Sequence, residues 1–240
     1  IETLFEGFVR ASVSAIESRD PTTHGHSFRV ADLTVGFAQA VDRDESRNFR
    51  DIHFSRAEMK EVRYASLLHD FGKVGVREEI LVKAKKLYPL QLELVKERFA
   101  YARKEMEWRQ SERKLAYLLE KGREEFLRRL PEYQRELEEQ LREADEFLAF
   151  IMKCNEPTVL RDGNFKQLQE LAAREFVDST GRRRSLLSDQ ELHLLSISRG
   201  NLDDTVRRHI ESHVTHTLNF LSRIPWTREI KHVPAIASAH

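Results

Sequence analysis

Apolar residues recur at helical spacing over most of the chain. Phe5, Phe8, Val9, Val13 and Ile16, with Ser12 among them, form a first amphipathic stretch. Asp20-Pro21-Thr22-Thr23 then makes a turn able to cap a second helix. That helix carries Val30, Leu33, Thr34, Phe37 and Val41 on one side, with Gly25 and His26 at its entry. Residues 42–56 are a polar connection with a short extended piece predicted over 49–54. Ser55-x-x-Glu58 has capping-box spacing, and the helix it opens runs through Val62, Ala65, Leu67 and Leu68 to His69-Asp70, with Gly72 as a stop signal.

From about 88 to 155 the pattern lengthens and the composition turns to Glu, Arg, Lys and Gln. Leu94, Tyr101, Trp108, Leu115, Leu119 and Phe126 form a broadly three-four spaced stripe, and Leu137, Leu141, Ala144, Leu148 and Ile151 follow the rhythm of a coiled-coil seam. Pro131 suits the first turn of a second helix. The expectation is an antiparallel hairpin jointed at Leu130-Pro131, its first arm about 60 Å long if some 40 residues stay helical. Such a hairpin serves either as a solvated arm or as a dimerisation or signal-transmitting element. The remainder predicts a helix over 167–175, a Gly-containing hairpin turn over 176–181, a helix over 202–223 and another near Pro234.

Composition narrows the function. Lys+Arg and Asp+Glu both number 40, so no net charge draws the chain to DNA or to an anionic membrane. The apolar run over 147–152 is too short to span a bilayer, so no direct membrane insertion is expected in this segment. One cysteine, Cys154, excludes an internal disulfide framework and fits the cytoplasm. The chain opens at Ile1 without methionine and is expected to be part of something longer. No P-loop, GxGxxG, GxSxG or CxxC is present, which leaves ten histidines as the chemical signal.

Most single histidines are surface or satisfied core residues, but His69-Asp70 ends an apolar helix, where an unpaired charge is costly to bury. A metal ion removes that cost by binding a neutral imidazole and an ionised carboxylate together. The two side chains diverge by about 100° on a helix, so the second carboxylate oxygen can reach a second ion. Lys73, about one turn on, is no metal ligand but can hold a phosphate oxygen.

His26-Ser27-x-Arg29-Val30-Ala31, Leu67-Leu68-His69-Asp70-Phe71-Gly72-Lys73-Val74-Gly75-Val76 and Glu79-Ile80-Leu81-Val82-Lys83 resemble the HD-GYP branch of the HD phosphohydrolase superfamily. The resemblance resumes at Arg199-Gly200-x-Leu202, Ile210-Glu211-Ser212-His213-Val214, Ile224-Pro225-Trp226 and Val233-Pro234-Ala235-Ile236-Ala237-Ser238-Ala239-His240. It implies an all-α fold, an HD-type helical bundle with an inserted long antiparallel hairpin. Residues 1–87 would be the first part of the core, 88–196 the insertion and 197–240 the second part.

Bacterial members of that branch hydrolyse cyclic di-GMP to pGpG or GMP with two or three transition metals. Carried over, the resemblance makes His26 and His69 ligands of one metal, Asp70 the bridge, His213 and His240 ligands of the second, and Lys73 the phosphate contact. Spacing cannot choose among His209, His213 and His216. The family's Glu-x-His-Val setting selects His213, leaving the other two to face solvent or stand behind the ligands. Thr22 occupies the place of a glutamate found in three-metal members, so a two-metal site is expected, with iron or manganese favoured and zinc admissible.

In the family a second His, a Glu, an Asp-Gly-x-Gly-Tyr-Pro stretch and a later Asp follow the position of His240. These are expected beyond residue 240, and activity of residues 1–240 alone is left open. An upstream sensor domain and a homodimer through the hairpin are the expected partners beside cyclic di-GMP. Two alternatives stay open: a phosphohydrolase on another nucleotide, and a catalytically silent sensor or scaffold.

Overall fold

The computed structural model describes residues 2–20, 24–159 and 162–240, so residues 21–23 of the first predicted turn, Thr22 among them, lie outside the described residues. The fold is all-α, with a single two-stranded antiparallel ribbon among the described residues. The chain forms two compact units, one from residues 1–82 and 204–240 and one from 83–203.

The first unit contains helices α1 (Glu2–Glu17), α2 (His26–Asp42), α3 (Arg56–Leu68), α4 (Glu78–Leu81), α9 (Asp204–Leu221) and α10 (Val233–Ala237). Its core gathers Val9 and Val13 of α1, Leu67 and Leu68 of α3, Leu221 of α9 and Val233 of α10. Each such side chain contributes about 2 kcal/mol by leaving water. Ser55 and Glu58 form the predicted capping box at the start of α3. The helix stops at Leu68 with His69 as its C-cap, and the chain continues as a 3₁₀ turn over Phe71–Gly75. Gly72 is therefore inside a turn, not a stop. The extended piece expected over 49–54 is instead turn and irregular chain, closed by Phe49 N–H to Ser46 O and Ile52 N–H to Phe49 O.

On α2 the expected apolar face points outward. Leu33 and Phe37 are 74% and 72% exposed, and the buried positions are Ser27, Ala31 and Ala38. Small residues let α2 lie close against α3, where Ala65 is also buried.

The second unit contains α5 (Pro89–Lys121), α6 (Arg123–Cys154), α7 (Asp162–Ala172), strands β1 (Glu175–Val177) and β2 (Arg183–Ser185), and α8 (Asp189–Leu195). Its core includes Val95, Phe99, Ile151, Leu168, Leu171 and Leu195. The hairpin is antiparallel, as the Arg103–Asp145 and Arg113–Glu136 ion pairs and the 2.6 Å bond from Gln110 Nε2 to Tyr133 O require. Its joint is Gly122, not Leu130-Pro131. With φ 79° and ψ 173° this glycine adopts a backbone state that side chains resist, and it reverses the chain in one residue.

Pro131 lies well inside α6. The arms are thus 33 and 32 residues, about 50 Å each. The seam of α6 faces inward through Ala144 and Ile151 as expected, but Leu94, Tyr101, Trp108, Leu115 and Leu119 of α5 are exposed and Val95, Phe99, Ala102 and Gln110 make its seam. Helix α8 escaped the sequence reading although Ser188 and Glu191 cap it as a box.

The ends of this unit are clasped. Lys83 Nζ donates to Asn201 O at 2.7 Å, and Asn201 Nδ2 donates back to Lys83 O. Lys86 is fully buried, its ammonium donating to Leu195 O and Ile197 O, and burial pulls its pKa below the usual lysine value. Among the described residues no helix is long and apolar enough to cross a membrane.

Candidate metal centre

Four elements of the first unit deliver side chains to one place. The C-terminal end of α3 presents His69 and Asp70, and α2 starts with His26. Glu17 fixes that start: its carboxylate accepts the N–H groups of Gly25 (2.7 Å) and Ser27 (2.8 Å), which flank His26. Burial works against the Glu17 charge, but the Ser27 and Gly25 donors outweigh it and hold its pKa below the ordinary glutamate value. Gly25, at φ 67°, supplies the left-handed turn into the helix.

Helix α9 brings His213 by crossing the 3₁₀ turn at Gly72. A Cβ on Gly72 would stand 1.8 Å from His213 O, so only glycine permits this approach. Thr217, one turn after His213, is fully buried and stitches the crossing. Its Oγ1 accepts Gly72 N–H at 2.8 Å and donates to His69 O at 2.9 Å. Arg19 adds a clamp from outside, its guanidinium donating to the carbonyls of Lys73, Val74 and Val76. Helix α10 brings His240 close, and the buried carboxylate of Glu61 accepts the His232 N–H at its entry (2.7 Å).

The result is two ligand groups that share a carboxylate. His26, His69 and Asp70 form one, and Asp70, His213 and His240 the other, with the ligand atoms of each group within 4.8 Å of one another. Asp70 Oδ2 lies 3.4 Å from His69 Nε2, and Oδ1 lies 3.5 Å from His213 Nε2. Lys73 Nζ stands 2.9 Å from Asp70 Oδ2 and 3.5 Å from Asp20 Oδ2. All six residues singled out from the sequence therefore meet. His24 and His209 are exposed, and the His216 ring lies over Gly75.

The donor set fits a divalent transition metal. Nδ1 of His69, His213 and His240 each faces a backbone carbonyl three residues back, of Ser66, Ile210 and Ala237. A carbonyl only accepts, so these nitrogens carry protons, and in the neutral ring Nε2 keeps its lone pair for a ligand. With both rings neutral, His213 Nε2 and His240 Nε2 face each other at 3.0 Å as two acceptors, an arrangement a shared cation resolves.

Charge states agree. Burial above all pulls the His69 pKa below its ordinary value, against the pull of Asp70, which favours a neutral imidazole. For Asp70 burial is the largest influence and raises the pKa, yet neighbouring imidazolium charge and the Lys73 ammonium together hold it below the ordinary aspartate value, and with neutral imidazoles Lys73 at 2.9 Å is the cation that favours the carboxylate. Neutral imidazole with ionised carboxylate is the metal-binding form.

Sequence reasoning missed Thr217, Glu17, Arg19 and Glu61. Each acts on backbone groups brought near by folding, and none stands in a spacing that announces it. Asp20 was visible only as a turn residue.

Fold and site together define a helical bundle built around a His/Asp cluster able to hold divalent metal. The family model described as HD domain matches residues 23–149, just over half of the chain, and the chain belongs to that family. HD domains are generally metal-dependent phosphohydrolases. The matched span contains His26, His69, Asp70 and Lys73, while His213 and His240 lie outside it. No curated protein and no solved structure matches the chain.

Proposed function

We propose that this chain is the HD-GYP-type output domain of a larger cytoplasmic signalling protein and hydrolyses cyclic di-GMP to pGpG or GMP. The observation that carries the reading is Asp70, whose two oxygens face separate histidine groups with the Lys73 ammonium alongside. His26, His69 and Asp70 would hold one ion, and Asp70, His213 and His240 the other, with iron or manganese favoured over zinc. A bound pair of such ions supplies an activated water and neutralises charge on the phosphate.

The protein's own groups do the rest. Lys73, bracketed by Asp70 and Asp20, is aimed to hold a non-bridging phosphate oxygen. Thr217 keeps the His213 helix in register with His69. An upstream sensor is the input this reading requires.

Turnover of cyclic di-GMP by the full-length protein, loaded with iron under anaerobic conditions, tests the proposal. Asp70→Asn is expected to lose both bound metal and turnover. Lys73→Met is expected to keep its metal and lose about 10²–10³ in kcat. Turnover of another cyclic dinucleotide but not of cyclic di-GMP would overturn the substrate assignment.

A further inference from the structure

Helix α5 has two apolar faces, and the hairpin uses only one. Val95, Phe99 and Ala102 pack inward, while Leu94, Tyr101, Trp108 and Leu115 are 51%, 38%, 61% and 55% exposed. Those four recur at intervals of seven, and Leu90 and Leu119 extend the line by four residues at each end. Recurrence every seven residues keeps these side chains in one line along a helix, with polar Glu97, Lys104 and Ser111 at the intervening heptad positions, and α6 occupies the other side. The stripe borders two adjoining clefts of about 990 and 520 Å³ that share Tyr101, Lys104 and Asp178; the ribbon of β1 and β2 is their far wall, and Tyr101 already packs against Phe176 there, 5.5 Å between ring centroids.

We propose that this stripe is a self-association seam: a second copy of the chain packs α5 antiparallel against α5 about a two-fold axis between Lys104 and Glu105. That register sets Leu94 of one copy against Leu115 of the other, Tyr101 against Trp108, and Leu90 against Leu119, so every exposed apolar residue of the stripe gains an apolar partner. The two Tyr–Trp pairs supply aromatic contacts at the centre, where interface energy concentrates.

The six exposed side chains offer roughly 600 Å² of apolar surface per copy. A symmetric pair that covers them and their flanking stems buries about 1,200 Å² or more, the size of a specific interface. Farther out Glu97 of each copy meets Glu112 of the other, two like-charge pairs that temper affinity and mark the register.

Sedimentation velocity on the full chain at about 50 μM, a concentration that reveals a micromolar dimer, is the first test, and a dimer is expected. Trp108→Glu combined with Leu115→Glu should give a monomer with unchanged helical circular dichroism. Glu97→Lys, which turns the two like-charge pairs into attractive ones, should lower the dimer Kd about fivefold. Leu94→Cys with Leu115→Cys should cross-link between copies on mild oxidation. A monomeric wild type, a dimer that survives the double glutamate substitution, or weaker association on Glu97→Lys would each overturn the proposal.

Discussion

One hydroxyl group, that of Thr217, satisfies the Gly72 N–H and donates to the carbonyl of His69. Thr217→Val keeps the shape and removes both bonds, leaving a buried N–H without a partner. We expect a loss of about 1–3 kcal/mol in denaturant unfolding together with weaker metal uptake by equilibrium dialysis. Thr217→Ser should restore most of both. Glu17 carries a pH signature. Its folded pKa lies below the ordinary value of about 4.3, so its stabilisation is complete at neutral pH and is lost as pH falls through the folded pKa.

The stability gap between wild type and Glu17→Gln should be about 1–2 kcal/mol at pH 7 and close below about pH 4, as read from urea curves across pH. A gap constant with pH would show that the carboxylate charge is not what Gly25 and Ser27 require. His69 and Asp70 were legible because imidazole and carboxylate at the end of an apolar helix announce their chemistry, whereas His26, His213 and His240 stood out only through the family resemblance. Thr217 and Glu17 were not, because their partners are backbone groups of segments far along the chain or across a turn.

At the scale of elements, the hairpin shows what periodicity conveys and what it hides. Two long helices and the α6 seam were legible, since Ala144 and Ile151 are buried where the four-three rhythm places them. The stripe on α5 was equally regular yet lies outside, because period alone fixes which residues share a face and not what covers that face. The joint was misplaced for a related reason. Pro131 is the stronger breaker by propensity, but helix packing overrides it, whereas Gly122, having no side chain, reaches φ 79° without strain.

Pro131 interrupts the backbone bonding of α6 in an exposed position. Pro131→Ala should therefore stabilise the second unit by about 1–3 kcal/mol, given a proline cost near 3. Gly122→Ala should destabilise it by about 1–3 kcal/mol. Thermal unfolding followed at 222 nm reads both, and a neutral Pro131→Ala would mean the helix has adapted to the missing donor.

Over the whole molecule, two cores stand where the sequence showed one family pattern interrupted by a charged insertion. The compact second unit, 83–203, reaches past the charged run at both ends, because Lys83 and Lys86 find their acceptors near Leu195, Ile197 and Asn201. No composition shift marks these bonds. Each core is complete in itself, so replacing 83–203 by a short Gly/Ser linker should leave a folded, metal-binding first unit with reduced total helicity. Metal analysis and circular dichroism of that variant check it, and an unfolded product would show that the first unit depends on the second.

The reciprocal Lys83–Asn201 clasp also bears on ancestry. A segment whose two ends leave from one point can enter or leave a gene in a single event without reshaping its host. Lineages should accordingly carry the segment whole or lack it whole, with crossovers clustered at the codons for Val82 and Asp204 and few intermediate lengths.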